Sequence, residues 1–165
     1  MRDQVAVDSI AFARDAGELR ATLKIPDLPR LRDLLFEQSG EIRYRLTGAV
    51  NKDGISSLRL ELAADLLLTC QRCLGPVEFG LNASRSFVLI PPAEALGDPA
   101  EEPEDVERIH ADAQLDVAAL VEDETMLCLP MVARHPPGKC SPPLALGSES
   151  DKKSPFGALA VLKRQ

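Results

Sequence analysis

The stretch Ser57-Leu58-Arg59-Leu60-Glu61-Leu62-Ala63-Ala64-Asp65-Leu66-Leu67-Leu68-Thr69 decides the fold. Its even positions, from Leu58 to Leu68, form one apolar stripe, and Arg59, Glu61, Ala63 and Asp65 oppose it. A period of two is the signature of a strand with one buried face, whereas a helix would scatter these leucines around its axis. Upstream, residues 41–47 alternate in the same way, with Ile42, Tyr44 and Leu46 inward and Glu41, Arg43, Arg45 and Thr47 outward. Asn51-Lys52-Asp53-Gly54 supplies turn chemistry between the two, which predicts an antiparallel pair. Leu19, Ala21, Leu23 and Ile25 mark an earlier strand, and Gly75-Pro76 turns the chain into apolar runs at 77–81 and 85–90.

Two segments carry the helical period instead. Asp27 precedes an early proline and apolar positions 28, 31, 34 and 35, which predicts a short helix over 28–36 capped by Asp27. Asp116 caps a second, with Val117, Leu120, Val121, Leu127 and Cys128 on one face and Pro130 as its stop. The expected architecture is α+β: a curved, mainly antiparallel sheet of about five to six strands with two to three helices. A partly closed barrel is compatible with that strand count. Residues 1–92 are expected to form a β-rich core with one short helix. Residues 93–110 read as a mobile, acidic, Pro-rich loop, because such a composition buries too little apolar surface to offset its chain entropy. Residues 111–165 are expected to pack a helix and loop segment back on the core, within a single domain.

Composition narrows function. At 45% hydrophobic and 27% charged, the 165 residues are ordinary for a globular protein. Tyr44, five Phe and no Trp make an aromatic platform for unpaired bases a poor expectation. No apolar run reaches membrane-span length and residues 1–14 lack a signal-peptide pattern, so a cytoplasmic protein with no membrane partner is expected. The net charge of −7 belongs wholly to the second half: residues 1–90 hold 12 basic and 12 acidic side chains, residues 91–165 hold 7 and 14. Within the neutral half, the outward Arg43, Arg45 and Arg59, with Arg72, form a candidate stripe for phosphate or an acidic partner surface. Cross-strand ion pairs with Glu41, Glu61 and Asp65 explain the same pattern.

The sharpest local motif is Cys70-Gln71-Arg72-Cys73, held between two strands and followed by Leu74-Gly75-Pro76. A tight turn of this kind lets two thiolates converge on one ion, and reduced cytoplasmic thiols favour metal over disulfide. His135 and Cys140 offer a nitrogen and a sulfur in a later loop, so Cys70, Cys73, His135 and Cys140 make a chemically sensible zinc set. Unligated, partly buried thiols fit the spacing as well, since the second pair lies some sixty residues away. A redox role for the pair fits less well, because it needs a cysteine at a helix N-terminus and the flanks here are strands. Cys128 reads as a core residue, and the run Glu122, Asp123, Glu124 as a solvated face. No phosphate loop, nucleophile elbow or catalytic constellation is present, which points away from an enzyme.

Taken in order, Leu28-Pro29-Arg30-Leu31, Cys70-Gln71-Arg72-Cys73-Leu74, Leu120-Val121-Glu122-Asp123-Glu124, Leu127-Cys128-Leu129-Pro130-Met131-Val132, His135, Cys140 and Ser154-Pro155-Phe156 running into Leu159 and Leu162-Lys163 resemble the YceD family, the large ribosomal RNA subunit accumulation proteins. The resemblance implies a non-catalytic accessory role in synthesis, processing or stability of 23S ribosomal RNA. It implies pre-ribosomal 23S RNA or a basic large-subunit ribosomal protein as partner. It also places Cys70, Cys73, His135 and Cys140 at the family's motif positions. The sequence departs from that pattern at Cys128, where a small apolar residue is usual, and at Ser154, where Asn is usual. A zinc-binding interaction module and a redox enzyme built on the cysteine pair are the alternatives. Oligomeric state is not legible.

Overall fold

A computed structural model describes residues 5–97 and 106–140. The elements run in the order β1 (Ala6–Val7), α1 (Ser9–Arg14), β2 (Glu18–Lys24), a 3-10 turn (Ile25–Asp27), α2 (Pro29–Arg32), β3 (Glu41–Val50), β4 (Ser56–Thr69), β5 (Pro76–Ile90), β6 (Val106–His110), β7 (Leu115–Asp116) and α3 (Val117–Cys128). The fold is α+β, as the periodicity predicts. Five strands form the main sheet in the order β2-β3-β4-β5-β6, antiparallel except for the parallel β5–β6 pair, and β1 with β7 makes a small second sheet. Among the described residues the sheet is open, with β2 and β6 as its two edges, and no barrel closes.

The alternating residues do what their period requires. Across the sheet, Tyr44 stands opposite Leu62, Leu46 opposite Leu60 and Leu58 opposite Phe87, all buried on one face. Helices α1 and α3 cover that face, contributing Ala13, Val117 and Val121 to the core. Gly48 in β3 is where α1 comes closest, since a Cβ there would lie 2.5 Å from the Phe12 carbonyl oxygen. Between β3 and β4, the Asn51 side-chain oxygen accepts from the Asp53 and Ile55 amides at 2.9 Å each, and Gly54 takes a positive φ of 81°. Asp116 caps α3 as expected, accepting from the Ala119 amide at 3.1 Å.

Four departures from the sequence pattern have physical causes. The two apolar runs after Gly75-Pro76 are one continuous strand, β5, because Asn82 and Ser84 simply face outward opposite Ala63 and Glu61. The helix expected over 28–36 closes after Arg32, since the last β3–β4 pair is Arg43 with Ala63 and leaves the far end of β4 open on that side. Leu35 and Phe36 take up that edge, Leu35 bridging Leu68 and the Phe36 amide donating to the Leu67 carbonyl at 2.8 Å. Asp27 is not the cap of α2: Leu28 holds that position with no side-chain bond, and the Glu122 carboxylate caps it from α3 instead, accepting from the Arg30 and Leu31 amides at 2.8 and 3.1 Å. Finally, residues 106–110 at the end of the acidic stretch form β6, because Ile109 gains a place against the core alongside Leu89. The acidic residues 98–105 and the closing apolar piece around Phe156 lie outside the described residues. Among the described residues, no helix is long and apolar enough to cross a membrane.

Candidate metal centre

Cys70 sits immediately after β4 and Cys73 three residues before β5 begins, so the two longest strands of the sheet present the knuckle. The turn is tied by its own backbone: the Cys70 amide donates to the Gly75 carbonyl at 2.8 Å and the Leu74 amide to the Cys70 carbonyl at 2.9 Å. Leu74 pays for the tight return with a left-handed backbone, φ 59°. The Arg72 amide points at the Cys70 sulfur, 3.5 Å away. The second half of the centre is brought in by one strand-like bond, the Gln71 amide donating to the Ala133 carbonyl at 2.9 Å. That contact lays residues 133–140 beside the knuckle.

All four candidate ligand atoms, the sulfurs of Cys70, Cys73 and Cys140 and a ring nitrogen of His135, lie within 4.8 Å of one another. The Cys70 and Cys140 sulfurs are 3.8 Å apart, and the Cys73 sulfur is 3.4 Å from His135 Nδ1. A tetrahedral ion with metal–sulfur bonds of about 2.3 Å and a metal–nitrogen bond of about 2.0 Å requires edges of about 3.8 Å between sulfurs and about 3.5 Å between sulfur and nitrogen. The two separations therefore match the edges of one tetrahedron. His135 is also held in the right tautomer. Its Nε2 lies 2.9 Å from the Pro76 carbonyl oxygen, which can only accept, so Nε2 carries the hydrogen and Nδ1 turns its lone pair toward the sulfurs.

The electrostatics lean toward thiolate at one position. The amides of Cys73, Arg72 and His135 lower the Cys70 thiol to about 5, against a smaller opposing effect of burial, and the side chain is wholly buried. Cys140 is pushed up to about 11 by burial and by sharing its site with Cys73 and Cys70. Crowded thiols that disfavour simultaneous ionisation are what a divalent cation relieves. Were all four to bind one ion, no coordination position would stay open, the pattern of a structural site rather than a catalytic one. Cys128 stands apart, packed against the core with its thiol raised by burial.

The other candidate residues are brought together only in part: Arg43, Arg45 and Arg59 share one sheet face, and Arg43 and Arg45 line one depression. Arg72 is exposed at the knuckle, away from Arg43, Arg45 and Arg59 on the open sheet face. Arg45 pairs with Glu18 at 2.9 Å and Glu61 at 3.5 Å, and Arg59 with Glu61 at 3.7 Å, so cross-strand pairing accounts for both. Arg43 has no such partner among the described residues. It borders a shallow depression of about 390 Å³ that Arg20, Asn82 and Ser84 also line. The solvated face expected at 122–124 is corrected at two of its three positions: Glu122 and Glu124 are only 5% and 4% exposed. Glu122 binds Arg30 of α2 and Glu124 binds Arg85 of β5, which lies on the core face opposite Leu60. The inward Arg85, out of step with the apolar alternation around it, is the signal that a buried acid must face it.

The family described as Large ribosomal RNA subunit accumulation protein YceD matches residues 58–163, a span that takes in most of β4 and all of β5, the four-residue centre and α3. A relative from Haemophilus influenzae (strain ATCC 51907 / DSM 11121 / KW20 / Rd), named Large ribosomal RNA subunit accumulation protein YceD, is 26% identical over 168 residues, covering 98% of this chain and 96% of its own. No solved structure matches.

Proposed function

Because the chain belongs to the YceD family of large ribosomal RNA subunit accumulation proteins, we propose that it is a cytoplasmic, non-catalytic accessory factor for large-subunit biogenesis that supports 23S ribosomal RNA. The family match across residues 58–163 carries this reading. Cys70, Cys73, His135 and Cys140 hold a zinc ion whose part is structural: it would supply bonds that fasten residues 133–140 to the β4–β5 turn. Support for zinc comes from the donor set, the tetrahedral separations and the enforced histidine tautomer.

The partner is pre-ribosomal 23S RNA or a basic large-subunit protein. Of the four arginines read from the sequence, Arg43 is the one best suited to RNA phosphate, because its charge is not spent on a neighbouring carboxylate. Arg45 and Arg59 are engaged by Glu18 and Glu61, and Arg72 would add a separate contact at the knuckle. Sucrose-gradient profiles of cells lacking the protein, with 23S quantified against 16S RNA, test the role. A selective shortage of 23S RNA, restored by the wild-type chain, is expected; an unchanged profile overturns it. Restoration by Arg43→Glu at wild-type level would overturn the phosphate contact alone.

A further inference from the structure

Strand β2 ends the main sheet, and its free side lacks the devices that usually keep an edge strand from pairing: a proline, a bulge or an inward-pointing charge. Its core-side residues Leu19, Ala21 and Leu23 are apolar, yet Ala21 is exposed and the two leucines are only partly buried, so the apolar face runs out to the edge. The backbone direction follows from the register with β3. The Gly48 amide donates to the Gly17 carbonyl at 2.8 Å and the Ile25 amide to the Gly40 carbonyl at 3.1 Å, both in step with the β2–β3 pairs. Odd-numbered residues therefore address β3, and the N–H and C=O groups of Glu18, Arg20, Thr22 and Lys24 point away from the sheet. Among the described residues, no hydrogen bond reaches those groups. We propose that this edge is a homodimer interface, in which β2 pairs antiparallel with β2 of a second copy about a two-fold axis at Ala21.

The order of residues along β2 selects both the occupant and the register. A two-fold at Ala21 sets Glu18 opposite Lys24 of the second copy, twice by symmetry, and Arg20 opposite Thr22. Each edge-facing residue then meets an edge-facing residue, so their backbone groups satisfy one another. On the core side Leu19 meets Leu23, and Ala21 meets its own copy. Sliding the second strand by two residues is the smallest step that keeps the apolar faces together. In one direction that sets Arg20 against Arg20, in the other Arg20 against Lys24, so like charges reject both neighbouring registers. The attractive pair is also available: Glu18 engages Arg20 and Arg45 through Oε1 alone, and Lys24 has no carboxylate partner among the described residues.

Sedimentation velocity of the purified full-length chain over a dilution series tests the dimer separately from the ribosomal role, and wild type is expected to dimerise. Glu18→Lys sets lysine against lysine and Lys24→Glu sets glutamate against glutamate, so each variant alone should self-associate at least about tenfold more weakly. An equimolar mixture of the two restores opposite charges at both ends of the interface and should pair as wild type does. Ala21→Cys is a small change at an exposed position and reads the same axis without altering charge. Opposed residues of a non-hydrogen-bonded antiparallel pair lie within disulfide reach, so mild oxidation should link the two introduced thiols, as peptide mapping would show. A monomeric wild type, charge variants that dimerise as tightly as wild type, or the absence of that linkage would each overturn the proposal.

Discussion

His135 donates its Nε2 hydrogen to the carbonyl oxygen of Pro76 across 2.9 Å, and this one bond joins the loop after α3 to the first residue of β5 while aiming Nδ1 at the cysteine sulfurs. A backbone acceptor cannot change its hydrogen-bonding role, so the ring is oriented before any metal arrives. The expected outcome is one zinc per chain, with tetrahedral visible bands on cobalt substitution. His135→Ala should weaken binding by at least about tenfold, and Cys70→Ser should do the same, measured by competition with a chromogenic chelator. Equal metal content in wild type and both variants would sink the assignment.

Leu74 invites the opposite kind of change. It is two-thirds exposed, so its side chain contributes little packing, yet its φ of 59° carries the left-handed penalty. Leu74→Gly should stabilise the chain by about 0.5–1 kcal/mol, the penalty relieved less the added chain entropy of glycine. Chemical denaturation of the metal-loaded protein reads this directly, and a loss of stability would show that the exposed leucine has a contact of its own.

Glu122 holds α2 in place by accepting two of its backbone amides as well as the Arg30 side chain. Glu122→Ala leaves those buried donors without a partner and should cost about 3 kcal/mol. Glu122→Gln keeps one acceptor oxygen and should cost clearly less. Should the two variants prove equally stable, the capping account fails.

Glu124 predicts a pH effect. Burial, opposed by the Arg85 guanidinium and reinforced by Glu107 and Asp123, raises its carboxyl above the usual 4.5. A raised folded-state value means the native chain binds the proton more tightly than the unfolded chain. Its stabilising contribution is therefore present below about pH 4.5 and lost as pH rises through the higher folded value. Glu124→Gln removes this dependence, so the melting temperature of the variant relative to wild type should climb between pH 4.5 and 7. A constant difference over that window would mean that Arg85 fully compensates the buried charge.

The strands, their faces and the cap at Asp116 were legible in the residues themselves, because a period of two or a capping side chain is a local property that a short window contains. The knuckle at Cys70 and Cys73 was legible for the same reason. Whether His135 and Cys140 complete it was not, because their approach depends on the Gln71–Ala133 contact between distant parts of the chain. Glu122 and Glu124 looked like solvated residues since nothing near them in sequence names Arg30, Leu31 or Arg85 as partners. Arg43 differs from Arg45 and Arg59 only through what the register sets beside each, and β6 exists only because a parallel edge was available next to β5. Sequence determined which face of each element is apolar and which residues carry metal-binding chemistry. Tertiary structure alone decided which of those residues meet, since pairing across the chain is set by how the buried faces pack and by no local pattern.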